Sequence, residues 1–332
     1  DRPDVVLHIG LHKTATRFLQ RALFSSLDAR VWLFNPTYLM RPLRRALRYR
    51  DADSIEAARV AVADARREAG ERSLLVSEPH IAGDMYSGYA DWRENLDLVR
   101  ELFPKARIVY FVRRHADWLH SAYRQVLAKG PGLPIEFFLN FRDGEFCSRP
   151  GRFVGGARNL EALRLQFLDI YRGYIDAYGA DQVYLFRQED LRSRPDDVYA
   201  RLAQALGCES LPPLPERVSG NRGMSALAIH LFFPGVHIQR RGVARDAPRR
   251  RPLQVTVRRL RRWRTMFIRH VFDKLVYRDW DLLARHGMRA RIDAHYEHEE
   301  AILARAAQAI LDRGPGAHVE SLVRSGREDG TS

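Results

Sequence analysis

Cysteine is nearly missing from this chain of 332 residues: Cys147 and Cys208 are the only two, and neither sits in a CxxC or histidine-rich context. Neither a disulfide framework nor a structural zinc site is expected, and a reducing, cytoplasmic setting suits that usage best. No stretch approaches the roughly 18 consecutive apolar residues of a membrane-spanning helix. Asp1 to Asp4 lead straight into the apolar Val5–Ile9, so no signal peptide is expected at this start. The missing initiator methionine leaves room for a removed leader or a longer parent. Acidic residues are also in short supply, with 41 Asp and Glu against 55 Lys and Arg and a formal net charge of +14. Such a surface suits an anionic partner: nucleic acid, acidic lipid, or a phosphorylated or sulfated small molecule. An arginine-rich solvated surface would give the same balance, so charge alone selects no function.

Hydrophobic residues make up 45% and charged residues 29%, which are globular values. The length suggests one large domain or two modest ones, with enough chain to bury a core unaided. Four short β-branched or aromatic runs read as strands: Val5–Ile9, Ser73–Ser77, Arg107–Val112 and Val183–Phe186. Between and after them, 3.6-type patterns predict helices near 18–27, 54–69, 96–103, 115–128, 159–178 and 194–206. Alternating strands and helices imply a parallel sheet covered by helices. The proline-rich Leu211–Pro215 marks a crossing, and helical patterns dominate beyond it. The best of these puts Ile292, Tyr296, Leu303, Ala306 and Ile310 on one face. The expected architecture is an α/β core over about 4–206 with a helical C-terminal part over about 216–312. Both belong to one domain ending near residue 320, and the polar tail from Arg313 is expected to fray.

The most informative stretch is His8-Ile9-Gly10-Leu11-His12-Lys13-Thr14-Ala15-Thr16-Arg17-Phe18. A strand feeds a tight loop that opens a helix, so backbone N–H groups and the helix dipole favour a phosphate or sulfate ester there. Lys13 adds a full positive charge, Thr14 and Thr16 add hydroxyls, Gly10 permits a sharp turn, and Ala15 lets a ligand approach the backbone. A Walker A loop would read G-x-x-x-x-G-K-S/T; here His12 precedes the lysine and Gly10 lies too close. A second element follows. Ile108–Val112 runs into Arg113 and Arg114, and Ser121 lies eight residues beyond Arg113. An arginine at the carboxyl end of a parallel strand stands where α/β sheets bind ligands, and its guanidinium grips phosphate as a fork.

Together these segments resemble the sulfotransferase family, whose bacterial members read close to H-I-G-x-x-K-T-G-T-T in the first loop and carry an arginine-to-serine spacing of eight in the second. The words Arg114–Leu119 and Ser121–Gln125 fit that resemblance, which covers roughly residues 4–206. Two positions depart from it: Ala15 stands for glycine, and Arg17 for a threonine that helps hold the 5′-phosphate. The resemblance implies a P-loop-like sulfotransferase fold and the donor 3′-phosphoadenosine 5′-phosphosulfate (PAPS), without a metal. The residues it places at the donor are Gly10, His12, Lys13, Thr14, Ala15, Thr16, Arg17, Phe18, Arg113 and Ser121. Lys13 would stabilise the leaving phosphate. Arg222, in the glycine-punctuated Ser219–Gly223, is a further candidate for the 3′-phosphate.

An acceptor hydroxyl needs a general base. The second strand ends Val76-Ser77-Glu78-Pro79-His80, and Glu78 is the first choice because it directly extends the strand. His80 is the second; its ordinary pKa suits the task better, but Pro79 is expected to turn it aside. His8 and His12 are expected to be structural or donor contacts. Trp118, Tyr123, Phe137, Phe138 and Phe141 fit a core more readily than a sugar platform. The acceptor suggested by the resemblance is a carbohydrate or glycolipid. Between Arg240 and Arg264 lie eleven arginines and one acidic residue, followed by Met266–Ile268, Val271 and Phe272. That stretch reads as a solvated face, an acceptor-binding face, or a basic amphipathic element on an anionic inner-membrane surface. Two rival functions stand beside the sulfotransferase: an ATP-dependent small-molecule kinase of the P-loop architecture, and a degenerate basic nucleic-acid or membrane-binding protein. No zinc-finger or RNA-recognition pattern supports nucleic acid, so none is expected as a partner.

Overall fold

Five short strands form one all-parallel sheet in the computed structural model, which describes residues 2–129, 132–148, 159–213, 223–233, 260 and 263–325. In chain order they are β1 (Val5–His8), β2 (Trp32–Phe34), β3 (Ser73–Ser77), β4 (Arg107–Val112) and, after a small hairpin of β5 (Phe141–Arg142) and β6 (Glu145–Phe146), β7 (Val183–Arg187). Their spatial order is β2-β3-β1-β4-β7. Parallel strands need crossovers and have both faces covered, which is why β1, β3 and β4 read as near-continuous apolar runs. Val6, Leu7, Ile108, Val109, Tyr110 and Phe111 are fully buried, each such side chain contributing about 1.5–3 kcal/mol of transfer free energy.

The helices include α1 (Thr16–Phe18), α2 (Thr37–Tyr49), α3 (Ala52–Ala69), α4 (Trp92–Leu102), α5 (His115–Lys129), α6 (Ile135–Phe138), α7 (Phe167–Tyr178), α8 (Asp190–Ser193), α9 (Pro195–Leu206), α10 (Ala226–Phe232), α11 (Met288–Arg313) and α12 (Ala317–Ser325), with a single further turn at Asp273–Leu275. Local chemistry sets several of their ends. Asp51 caps α3 by accepting the Ser54 N–H at 2.9 Å, and Gly70 ends it with φ 56°. Helices α4 and α7 approach so closely at Gly173 that an added Cβ would lie 2.2 Å from the Trp92 ring.

Three expectations are corrected. The helix expected over 159–178 begins only at Phe167, because the preceding backbone donates elsewhere: Leu160 N–H to Phe138 O at 2.7 Å and Leu165 N–H to the Tyr296 hydroxyl at 2.8 Å. The helix after the first loop is irregular, widening into a π-type turn over Leu19–Leu23 and tightening over Phe24–Ser26. The tail does not fray over Ala317–Ser325, where Val319 and Val323 are buried and Arg172 donates to the Val323 carbonyl at 3.0 Å.

The long helix α11 buries Ile292, Tyr296, Leu303, Ala306 and Ile310, the face read from the sequence. It reaches the carboxyl end of β4 through His115, the first residue of α5. That ring stacks on Tyr296 at 3.8 Å and Phe167 at 4.4 Å between centroids, while its nitrogens meet Glu300 at 2.7 Å and Glu299 at 3.2 Å. Burial pulls the His115 pKa down, but hydrogen bonds and charge from the two glutamates outweigh it and hold it above 6.5. A raised folded-state pKa stabilises fully below the unfolded value and ceases to as pH rises through the folded one. As pH rises from below 6.5 through the raised folded-state value, the native chain should therefore lose more melting temperature than a His115→Gln variant. Parallel pH profiles for the two would contradict a charged His115.

Candidate active site

The chain leaves β1 toward β3 and β2 but leaves β4 toward β7, so the carboxyl ends of β1 and β4 flank a topological switch point, the place where parallel α/β sheets open a ligand crevice. The loop after β1 continues the pairing with β4, donating from Ile9 N–H to Val109 O at 3.0 Å and from Leu11 N–H to Phe111 O at 3.1 Å. It then coils tightly. Lys13 and Ala15 both take left-handed backbone, φ 72° and 64°, with Thr14 between them at negative φ. Such alternation turns successive N–H groups to one side as an anion-binding nest. Ala15 is the N-cap of α1 and offers no side-chain cap, so the first-turn N–H groups face the loop without one. A Cβ in left-handed backbone is strained. Ala15→Gly is expected to raise stability by about 1 kcal/mol in urea unfolding, and a loss of stability would contradict this geometry.

Gly10 earns its place differently from the sharp turn read in the sequence. Its φ is not positive, but a Cβ there would lie 2.7 Å from His8 Nε2 and 3.2 Å from Thr16 Oγ1. His8 cannot yield. It is buried, edge-on to Phe24 and Phe111, with Nδ1 2.6 Å from Ser77 Oγ, and burial drives its pKa down to about 3. His8 is thus a neutral structural ring. Gln20 donates to Ser77 O at 2.9 Å and to Ser77 Oγ at 3.0 Å, and Asn35 accepts the Ser77 N–H at 2.8 Å. This polar web ties the back of the loop to β3.

Two buried aromatic residues hold the loop from the front. The Tyr89 hydroxyl accepts the His12 N–H at 2.9 Å, and the Trp118 indole donates to the His12 carbonyl at 2.6 Å. Their rings lie 5.6 Å apart. Trp118, Tyr123, Phe138 and Phe141 are all buried, so they serve the core and not an exposed sugar platform. Nothing in the local sequence marked Tyr89 as a partner of His12, because the contact spans 77 residues. Thr14 is buried with its hydroxyl donating to Leu11 O at 2.6 Å, and Thr16 makes a longer bond of 3.4 Å to the same carbonyl. Phe18 is partly buried against the core.

Across the crevice, Arg113 extends β4. Its side chain makes no hydrogen bond or ion pair with a described residue, and it is only partly exposed. Burial pulls its pKa below the usual arginine value despite the charges of Asp117 and Glu189 nearby. A partly buried guanidinium without a protein partner is costly unless something else supplies the anion. Arg114 behaves otherwise: it is exposed and lies 4.0 Å from Asp293. Ser121 sits partly exposed in the second turn of α5. Arg17 is exposed, while Arg222 lies outside the described residues.

The end of β3 brings Glu78 and His80 together in an order opposite to the one expected. Pro79 opens a tight turn, Pro79–Ala82, which folds His80 back over Glu78 instead of away from it. The Glu78 side chain is 2% exposed and that of His80 53%. His80 Nδ1 donates to Glu78 Oε1 at 2.5 Å, and Arg44 of α2 donates to Glu78 Oε2. Burial pushes the Glu78 pKa up, but the hydrogen bond and charge of His80 and the charge of Arg44 overcome it and hold it below the ordinary value. Glu78 is thus a buried carboxylate with both oxygens engaged. With Nδ1 held as the donor, the neutral His80 ring carries its lone pair on Nε2. That ring stands edge-on to His12 of the loop, 4.8 Å between centroids, beside Lys13.

No family model matches the chain, and no curated protein matches it. Among solved structures, the chain is similar to a sulfotransferase from Alicyclobacillus acidocaldarius, with 16% identity, a TM-score of 0.42, and coverage of 66% of this chain and 88% of that one. It is similar also to the sulfotransferase domain from the curacin biosynthetic pathway, with 13% identity, a TM-score of 0.36, and coverage of 67% of this chain and 80% of that one. Both Cys147 and Cys208 are free thiols, and no described helix is long and apolar enough to cross a membrane.

Proposed function

We propose that this chain is a sulfotransferase that takes the sulfuryl group from PAPS and gives it to a hydroxyl on a carbohydrate or glycolipid. The observation that carries this reading is Arg113: a partly buried guanidinium without a hydrogen bond or ion pair to a described residue, directly after β4, one of the two strands at the switch point. A P-loop kinase would instead want an aspartate there for magnesium.

The residues fit a nucleotide with two anionic ends. The nest and first helical turn at Lys13–Thr16 suit the 5′-phosphosulfate, and Arg113 with Ser121 suits the 3′-phosphate. Bound there, the donor would supply an activated sulfuryl group on a phosphate leaving group. Lys13 balances the charge that builds on that phosphate as the bond breaks. His80 Nε2 takes the acceptor proton, and Glu78 holds the ring by Nδ1 and balances its charge once protonated. Glu78 is therefore a positioning residue in this reading and His80 the base, which reverses the first choice made from sequence. The held His12 peptide keeps the loop in place, so little reorganisation remains for the transfer step. Arg44, half exposed and bonded to Glu78, would meet any acceptor approaching His80 and suits one with a negative group nearby. A cytoplasmic site of action is part of the same proposal.

Incubation with PAPS and a panel of glycans and glycolipids tests the reading. Release of adenosine 3′,5′-bisphosphate together with a sulfated acceptor is the expected result, lost in Lys13→Ala. Phosphorylated products from ATP and magnesium, with none from PAPS, would establish the kinase instead.

A further inference from the structure

Outside the candidate site, one surface is unusually apolar. Leu260, Trp263, Met266, Phe267, Val271, Leu275, Val276 and Trp280 are all exposed, as is Leu231 of α10. Trp263 is 76% and Leu275 79% exposed. Contacts with α10 bring two of these, Phe267 and Trp280, to one helix: Phe232 packs against Phe267 at 5.9 Å and the half-buried Phe272 at 5.0 Å, and His230 against Trp280 at 6.5 Å. Scattered exposed apolar side chains are ordinary, but a cluster of this kind marks a surface that is covered in use.

The charges around it say by what. The acidic residues of the segment are already bonded within the protein: Asp273 accepts from Ser225, Asp279 from Arg124 and from the Ala226 N–H at 3.0 Å, and Asp281 from Arg289. Lys274 and Arg278, by contrast, are exposed. In the sequence, Arg258, Arg259, Arg261 and Arg262 stand next to Leu260 and Trp263. An apolar patch with tryptophan, the exposed Lys274 and Arg278 and an arginine-rich neighbouring sequence match an anionic bilayer, whose headgroups take the cations and whose acyl boundary takes the apolar side chains. A protein partner of similar chemistry would need acidic side chains around an apolar centre, and nothing here favours it.

We infer that residues 260–280 dock this protein on an anionic lipid surface. The patch is fixed to the donor side of the molecule: Thr265 donates to the Ala128 carbonyl of α5 at 3.2 Å, and Arg124 of the same helix pairs with Asp279. Helix α5 also carries Ser121, so a docked molecule holds its crevice near the membrane, within reach of a lipid-linked acceptor. The docking itself is independent of the sulfotransferase reading and is measured without donor.

The test is co-sedimentation of the whole chain with vesicles of phosphatidylcholine alone or with about one-third phosphatidylglycerol, at low and raised salt. Binding is expected only with the anionic lipid, weakened by salt and reduced about tenfold or more in Trp263→Ser/Leu275→Ser. Brominated lipid should quench Trp263 fluorescence in the native chain. Both substituted side chains are exposed, so unchanged melting temperature verifies the variant's fold. Absence of sedimentation with anionic vesicles, or binding that survives the double substitution, overturns the proposal. A dimer in sedimentation velocity that the same substitutions dissolve, without lipid binding, would assign the patch to a second copy of the chain.

Discussion

Arg113→Ala is expected to weaken binding of adenosine 3′,5′-bisphosphate by at least about 100-fold, close to 2.7 kcal/mol, since a charged fork to phosphate is lost from a partly desolvated place. The same substitution should leave the unliganded protein as stable as the native chain, or more so. That pairing follows from the environment of the side chain. Burial disfavours its charge by more than the nearby charges of Asp117 and Glu189 offset, so alanine removes a cost in the free protein. Arg113→Lys should fall between, because an ammonium keeps the charge but not the planar fork. Calorimetric titration and thermal melting of the three proteins check both halves. Unchanged affinity in Arg113→Ala, or a fall of several degrees in its unliganded melting temperature, would mean that Arg113 serves the fold instead.

His80→Ala is expected to lower kcat by about 100- to 10,000-fold, the usual contribution of a positioned base, with the Kd for the bisphosphate unchanged. Glu78→Gln should lower kcat less, by about tenfold, and also spare the bisphosphate. Its neutral amide no longer fixes His80 as an Nδ1 donor or balances the imidazolium formed in the transfer. Glu78→Asp should recover part of the loss. The contrast separates base from positioning residue: a Glu78→Gln defect larger than that of His80→Ala would return the base to Glu78. Both variants need melting checks, since Glu78 also accepts from Arg44.

The parallel sheet was legible in the sequence because its central strands are buried on both faces and must be apolar throughout. Ser73–Ser77 and Arg107–Val112 match the structure residue for residue. The edge strand Trp32–Phe34 has three residues and no periodicity to detect, and α2 carries an internal proline, Pro42, that argues locally against a helix. At the candidate site, the loop and Arg113 were legible from spacing, since each must follow directly on a strand end. The burial of Glu78 and the exposure of His80 were not, because which one faces solvent depends on a tight turn and on Arg44, 34 residues from Glu78. The same limit hid Tyr89 and the web of His8, Ser77, Gln20 and Asn35. These are contacts between distant segments, and single side chains carry no local signal of them.

The central claim is that the switch point between β1 and β4 binds a nucleotide with a 3′-phosphate. Thermal unfolding of the native chain with adenosine 3′,5′-bisphosphate, beside ATP with magnesium, tests it most directly. At a hundred times its Kd the bisphosphate should add about 2.7 kcal/mol of stability, while ATP with magnesium adds little. No shift with the bisphosphate, or a larger one with ATP and magnesium, would contradict the donor site proposed here.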